Sequence, residues 1–251
     1  MLRERIGTRW QAGQVSRGED TVAAEITYQL FLDEALILRA VVSPADLREW
    51  GVGYLICEGL LTAAQIAGVE LEGGRVQVRS RAAPGVGGAA ALEMVQRSSG
   101  YAGRLGVAGL EPLASDLKIT PPQIEAGARA LSELAPGWRA TGGLHVALLY
   151  DEQGGLIKVA EDIGRHNAVD KVVGAAHLQG VDRARCSVVI SGRMPQGMVT
   201  KVVSAGIPIA ITKAAGTDLG IDTARRFNLT LICFARPGRF TVYSGEERVL
   251  L

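Results

Sequence analysis

The sequence predicts an α/β layer fold in which the C-terminal half carries a partly parallel sheet covered on both faces, joined to a smaller N-terminal α+β unit. Three observations predict it. From about Leu144 onward, short apolar runs alternate with helix-like ones, as a sheet with crossover helices requires. Before about residue 81, period-two alternation between turn signals suggests hairpins. The third observation is chemical. Glu161–Lys171, Ser191–Lys201 and Lys213–Asp222 each place glycine, a cation and small polar groups where a strand-like run gives way to a helix-like one, which is where an open α/β sheet binds anions. Function is therefore expected in the C-terminal half.

Residues 21–42 read as two strands, because Ile26, Tyr28, Leu30 and Leu32 alternate with polar neighbours and a second run, Leu36 to Val42, follows Asp33-Glu34. Ser43-Pro44 then opens a helix through Leu47, Trp50 and Leu55 toward Glu58-Gly59, with Ser43 as the expected N-cap. A short helix is expected after Thr62, and a second hairpin over Val69 to Ser80 around Gly73-Gly74. Residues 82–109 are rich in Gly, Ala and Ser without periodicity and are expected to form a mobile loop. Pro121-Pro122 starts a helix to Leu134, ended by Ala135-Pro-Gly137, so the units are expected to span 1–136 and 137–251.

In the second unit, strands are expected at 144–150, 156–161, 188–190, 207–212, 229–234 and 240–243. Helices are expected at 167–179, 195–205 and 217–227. Loops leaving the carboxyl ends of parallel strands share one edge of such a sheet. Four of these loops carry cations: Gly164-Arg165-His166, Ser191-Gly192-Arg193, Thr212-Lys213 and Arg236-Pro-Gly-Arg239. Guanidinium forks and helix N-terminal amides both suit phosphate oxygens, so their convergence favours a phosphate-rich ligand.

The chain of 251 residues is 47% hydrophobic and 21% charged, a globular composition, and its net charge of +1 gives no global argument for nucleic acid or an acidic membrane surface. No run approaches the ~20 apolar residues of a membrane span and no secretory-type segment is visible, so a soluble cytoplasmic protein is expected. Cys57, Cys186 and Cys233 lie far apart, without metal-ligand spacing, and the last two fall in apolar runs that suggest buried thiols. His145, after Gly142-Gly143, and His166, between Arg165 and Asn167, are candidate site residues, whereas His177 sits within a helical run. Zinc deaminase chemistry needs His-x-Glu and Pro-Cys-x-x-Cys; His145 is followed by Val146-Ala147 and no cysteine pair exists. Asp162 reads as a loop or capping residue orienting Arg165, and Asp170-Lys171 as a helix-surface pair, with a magnesium role for Glu161, Asp162 and Asp170 as the lesser reading.

Taken together, Thr141-Gly-Gly-Leu-His145, the three segments named first, and Phe234-Ala-Arg-Pro-Gly-Arg-Phe-Thr-Val-Tyr-Ser244 resemble the formate dehydrogenase accessory sulfurtransferase (FdhD) family, as does Gly51-Val-Gly-Tyr-Leu-Ile-Cys-Glu-Gly59 more loosely. The resemblance implies a cytidine-deaminase-like three-layer C-terminal domain with a mixed sheet. It also implies that the chain binds the molybdenum bis-guanine-dinucleotide cofactor as a client ligand, serves formate dehydrogenase or a related molybdoenzyme, and forms a homodimer. In the family the cofactor is associated with the turn matching Phe234, Ala235, Arg236, Pro237, Gly238 and Arg239, and Arg193, Lys213, His166 and His145 join these as candidate binding residues. The family's persulfide, supplied by a cysteine desulfurase, forms on a Cys-Gly-x-Cys-Gly loop. Here Ser98-Ser-Gly-Tyr-Ala-Gly-Arg-Leu-Gly106 places Ala102 and Leu105 at the two cysteines, so sulfur transfer is in doubt, with Cys57 a weak substitute. Two other readings stand beside this one: a non-catalytic regulatory paralogue that binds nucleotide or a partner, and an enzyme using His145 or His166 on another phosphorylated substrate.

Overall fold

The structure, a computed structural model, describes residues 1–81, the backbone of 94–96 and residues 109–251. The expected loop 82–109, with Ala102 and Leu105, lies almost wholly outside the described residues. A two-stranded hairpin that the sequence reading missed opens the chain: β1 (Leu2–Gln11) and β2 (Gln14–Ala23), joined at Ala12-Gly13. Both turn residues have positive φ, 49° and 85°, the geometry that matches strand twist in a two-residue hairpin. β3 (Ile26–Leu32), β4 (Ala35–Val42), β5 (Ile66–Glu72), β6 (Arg75–Ser80) and β7 (Met94–Gln96) form a five-stranded sheet in the order β5-β6-β3-β4-β7. Leu30, Leu32, Leu38, Ala40, Val76 and Val78 turn its apolar face onto helix α1 (Leu47–Cys57).

After α2 (Pro121–Glu133) and the short α3 (Pro136–Thr141), the chain builds a six-stranded mixed sheet in the order β13-β12-β11-β10-β8-β9. Its strands are β8 (His145–Tyr150), β9 (Leu156–Asp162), β10 (Ser187–Ile190), β11 (Ile209–Thr212), β12 (Thr230–Arg236) and β13 (Arg239–Ser244). The helices α4 (Arg165–Leu178), α5 (Gln196–Ser204) and α6 (Asp218–Arg226) follow β9, β10 and β11. β10, β11 and β12 pair in parallel, while β8 runs antiparallel to both β9 and β10, so β9 points the same way as the other three.

Alternate residues of these strands enter two separate cores. Val146, Leu148, Val189, Ile209, Ile211 and Ile232 pack under α2 through Ile124, Ala128 and Leu131. Ala147, Leu149, Val188, Ile190, Ala210 and Leu231 face α4 and α5. Each fully buried aliphatic of this kind contributes about 1.5–3 kcal/mol, which is why the strands read as continuous apolar runs rather than alternating ones. Helix α2 begins with a capping box between Thr120 and Gln123 and forms the outer layer of this sheet. Among the described residues, α2's apolar face packs on the C-terminal sheet.

The halves meet where α1 crosses α4. A Cβ on Gly53 would lie 1.8 Å from the Asp170 carbonyl oxygen, and one on Gly174 would lie 1.9 Å from that of Glu49. The two backbones touch because neither residue has a side chain. Ser43 was expected to cap α1, but the helix starts later, after Asp46, and Ser43 serves this seam instead. Its N–H donates to Asp162 Oδ2 (2.9 Å), its hydroxyl accepts from the Ile163 N–H (3.1 Å), and its carbonyl accepts from Lys171 (3.2 Å).

Candidate functional site

The sheet order places the carboxyl ends of β9, β10, β11 and β12 on one edge, together with the start of β8 and of β13. The four cation-bearing loops therefore do converge, and α4, α5 and α6 begin there. Arg165 starts α4, Arg193 follows β10, Lys213 follows β11, and Arg236 and Arg239 bracket the turn between β12 and β13. Among the described residues, none of these five side chains makes an ion pair with an acid. Two pairs of them repel instead. Burial and then Arg193 depress the Arg165 pKa, and burial and then Arg236 depress that of Lys213, which Glu133 only partly offsets. Arg165 lies flat across Gly192, whose missing Cβ would meet its Cδ at 2.9 Å, and its Nε is buried without a hydrogen-bond partner.

A cavity of about 360 Å³ opens beside these cations, lined by Ser132, Trp138, Gly143, His145, Ser191 and Lys213 among others. Short α3 projects Trp138 over it, because the N–H groups of Gly137 and Trp138 are held by the Glu161 carboxylate (3.0 and 2.5 Å). A smaller cavity of about 240 Å³ is lined by Phe234, Arg239, Phe240 and Thr241. Lys213 donates weakly to Ser132 Oγ (3.4 Å).

The turn keeps an unusual backbone. Register slips between Cys233 and Arg236, and Phe234 takes φ 55°, a left-handed conformation that costs a bulky residue about 1–3 kcal/mol. The bulge is held by the Phe234 N–H donating to the Ala214 carbonyl (3.0 Å), which ties the turn to the Lys213 loop. Pro237-Gly238 closes the hairpin with φ 79° at Gly238, as a type II turn requires, and the Gly238 N–H donates to Glu125 of α2 (3.1 Å). Ala235 is buried in the core under α2 and presents no side chain to either cavity.

The histidines separate. His145 lines the larger cavity, with Nδ1 3.2 Å from Ser191 Oγ, and burial followed by the Arg165 charge lowers its pKa. His166 is only 6% exposed and lines neither cavity; burial, then Lys201, pushes its pKa down to about 2, so it is an uncharged interior group behind the site.

The sequence matches the model of the FdhD/NarQ family over residues 23–250. The chain belongs to the FdhD/NarQ family. A Methanothermobacter thermautotrophicus relative named sulfur carrier protein FdhD is 35% identical, with 93% of each chain covered, and one of the same name from Streptomyces avermitilis is 33% identical over 97% of this chain and 94% of its own. A crystal structure of a Desulfotalea psychrophila protein, named a formate dehydrogenase accessory protein, superposes with a TM-score of 0.83 at 28% identity and 99% coverage of both chains.

Two sequence expectations for this FdhD/NarQ chain are corrected. Asp162 does not orient Arg165: it is fully buried, 2.6 Å from Lys171 Nζ, and accepts from Gly164 N–H and Asn167 Nδ2 (2.8 and 2.9 Å). Asp170 and Lys171 are not a surface pair. Both are buried on α4 and bond in different directions, Asp170 to Lys201 Nζ (2.7 Å), which also reaches Glu58 (3.0 Å). These carboxylates are spent on lysines, and among the described residues no group of three His, Cys, Asp or Glu could hold a metal.

All three cysteines of the sequence are buried. Burial raises each thiol pKa, to about 11 for Cys186 and Cys233, and for Cys57 the neighbouring Asp170 raises it further. Sequence reasoning missed Trp138 and the partnership of Ser191 with His145, which are 46 residues apart and meet only because β8 and β10 are neighbours.

Proposed function

We propose that this FdhD/NarQ chain binds the molybdenum bis-guanine-dinucleotide cofactor as a client ligand and delivers it to a formate dehydrogenase or related molybdoenzyme, without itself carrying sulfur. The observation that carries this reading is the row of cations on one sheet edge that form no ion pair among the described residues, in a chain whose net charge is only +1. Repulsion within two pairs, Arg165 with Arg193 and Lys213 with Arg236, would be relieved by anions lying beside them, and pyrophosphate groups supply that charge. The residues present fit such a ligand. Arginine forks and the N-termini of α4, α5 and α6 would hold phosphate oxygens, and the two cavities leave room beyond them.

Relatives are named sulfur carriers. That role needs an accessible thiolate of lowered pKa, and the three cysteines here are buried with raised values, while Ala102 and Leu105 stand at the family's loop cysteines. A cysteine desulfurase therefore finds no sulfur acceptor on this chain. Material released from the purified protein should contain guanine nucleotide and show oxidised-pterin fluorescence. A preparation that holds neither, and that takes up no guanosine diphosphate in calorimetry, refutes the proposal.

We also propose a homodimer. Facing pairs on β1 and β2 put Leu2, Ile6, Trp10 and Val15 on one side of the hairpin, with Ile6 68% and Trp10 70% exposed. An isolated two-stranded hairpin is marginal in water, and a second chain covering this apolar side supplies what it lacks. Light scattering should give twice 26.4 kDa. A monomer at micromolar concentration refutes this association.

A further inference from the structure

We infer that the cavity beside the cations is a ring pocket: Trp138 stacks on a planar heteroaromatic group, and His145, locked by Ser191 into one neutral tautomer, donates a single N–H to an acceptor on that ring. This rests on the anion-site reading above and deepens it by separating ring recognition from phosphate recognition.

The proposed tautomer is the one in which the Ser191 hydroxyl donates to the imidazole. Ser191 Oγ accepts the Val146 N–H at 2.9 Å, so its own hydrogen has to be placed elsewhere, and His145 Nδ1 stands 3.2 Å away. With Nδ1 accepting from Ser191, the ring proton resides on Nε2. No described residue engages Nε2, which is not among the buried atoms lacking a partner, so it opens on the cavity that His145 lines. Arg165, whose charge faces the imidazole, and the surrounding burial both disfavour a second proton, while Asp162 acts the other way and is already neutralised by Lys171. A neutral donor has little hold on phosphate in competition with four cations. It suits a ring carbonyl or ring nitrogen.

Trp138 supplies the face. It is 38% exposed, its backbone is pinned by Glu161, and it lines the cavity. Gly142 and Gly143 lie alongside; a Cβ on Gly142 would meet nothing within 4 Å, which leaves open space for a flat group. The cavity of about 360 Å³ accepts a bicyclic ring, and Lys213 marks the side from which its phosphates would extend.

The test compares guanosine diphosphate with inorganic pyrophosphate by calorimetry on the full chain. Trp138→Ala and His145→Phe should each weaken guanosine diphosphate roughly tenfold or more, while pyrophosphate affinity stays within about twofold. Trp138→Phe should retain most of the affinity, and His145→Gln, which keeps a donor near Nε2, should recover part of what His145→Phe loses. Nitrogen-15 correlation spectra should show the Nε2–H tautomer in the native chain and a tautomer mixture in Ser191→Ala. Equal weakening of both ligands, or of neither, in variants that melt like the native chain overturns the ring pocket. A native chain that binds pyrophosphate as tightly as guanosine diphosphate also overturns it and leaves the anion site standing. A native chain that binds neither overturns both.

Discussion

Lys201→Met tests the physical reading of the seam between the two halves. Lys201 Nζ lies 2.7 Å from Asp170 Oδ1 and 3.0 Å from Glu58 Oε1, and all three side chains are fully buried. Methionine fills nearly the same volume, so packing changes little, but two carboxylates are left in a dry interior without their cation. Removing one partner of a buried pair costs about 3–5 kcal/mol, a large part of the roughly 5–15 kcal/mol that holds a domain folded. For a chain of this length each kcal/mol moves the melting temperature by roughly 2–4 °C, so a fall of about 6–20 °C is expected.

The loss should also depend on pH. Asp170 is pushed up from 3.8 to about 7, by burial first, with Lys201 holding it down and Glu58 holding it up. A carboxyl whose folded pKa is raised keeps a proton that the unfolded chain has released. Its favourable contribution is complete below 3.8 and is lost as pH rises toward 7. Without Lys201 the folded value climbs further, the protonated form persists to higher pH, and the deficit of the variant is smaller at about pH 5.5 than at about pH 8. Urea unfolding at both pH values measures this. A deficit under about 1 kcal/mol, or one equal at the two pH values, would show that the network does not hold the halves together as described.

Three further outcomes are expected. Arg236→Ala or Arg239→Ala should weaken guanosine diphosphate roughly ten- to a hundredfold, since a charge-assisted phosphate contact is worth about 1.5–3 kcal/mol; unchanged affinity in the folded double variant would sink the turn as a phosphate site. Gly53→Ala forces a methyl onto the Asp170 carbonyl, and because that atom is helix backbone the two helices must part, at a cost of about 1–3 kcal/mol or more. An unaltered urea midpoint would contradict the backbone contact. Incubation with a cysteine desulfurase and cysteine should add no sulfur by intact-mass measurement, whereas a stoichiometric gain abolished by Cys57→Ser would restore sulfur transfer to this chain.

Much of the C-terminal sheet and its helices was legible because their residues obey local rules. Runs such as Val188–Ile190 and Ile209–Thr212 are apolar on both faces, Pro121-Pro122 and Thr120 announce α2, and glycine with a cation marks each turn onto a helix. The edge cations were legible for the same reason: parallel strands bring their carboxyl ends together whatever the details. The hairpin of β1 and β2 was not, since its ten-residue strands are exposed on both sides and carry no core-facing pattern. Ser43 misled because its signal as a cap is local, whereas its partners Asp162, Ile163 and Lys171 lie more than a hundred residues away.

By itself the sequence determined the α/β class, the family motifs, the cation set and the absence of loop cysteines, all of which depend on residue identity and short-range spacing. Tertiary structure alone decided which charges are spent and which remain available. Asp170 and Lys171 adjoin in sequence, yet α4 turns them toward different buried partners, while Arg165, Arg193, Lys213 and Arg236 share one sheet edge and, among the described residues, form no ion pair with an acid. Charge compensation acts through space over a few ångströms, and it is the packing of α1 on α4, and of β8 beside β10, that sets those distances.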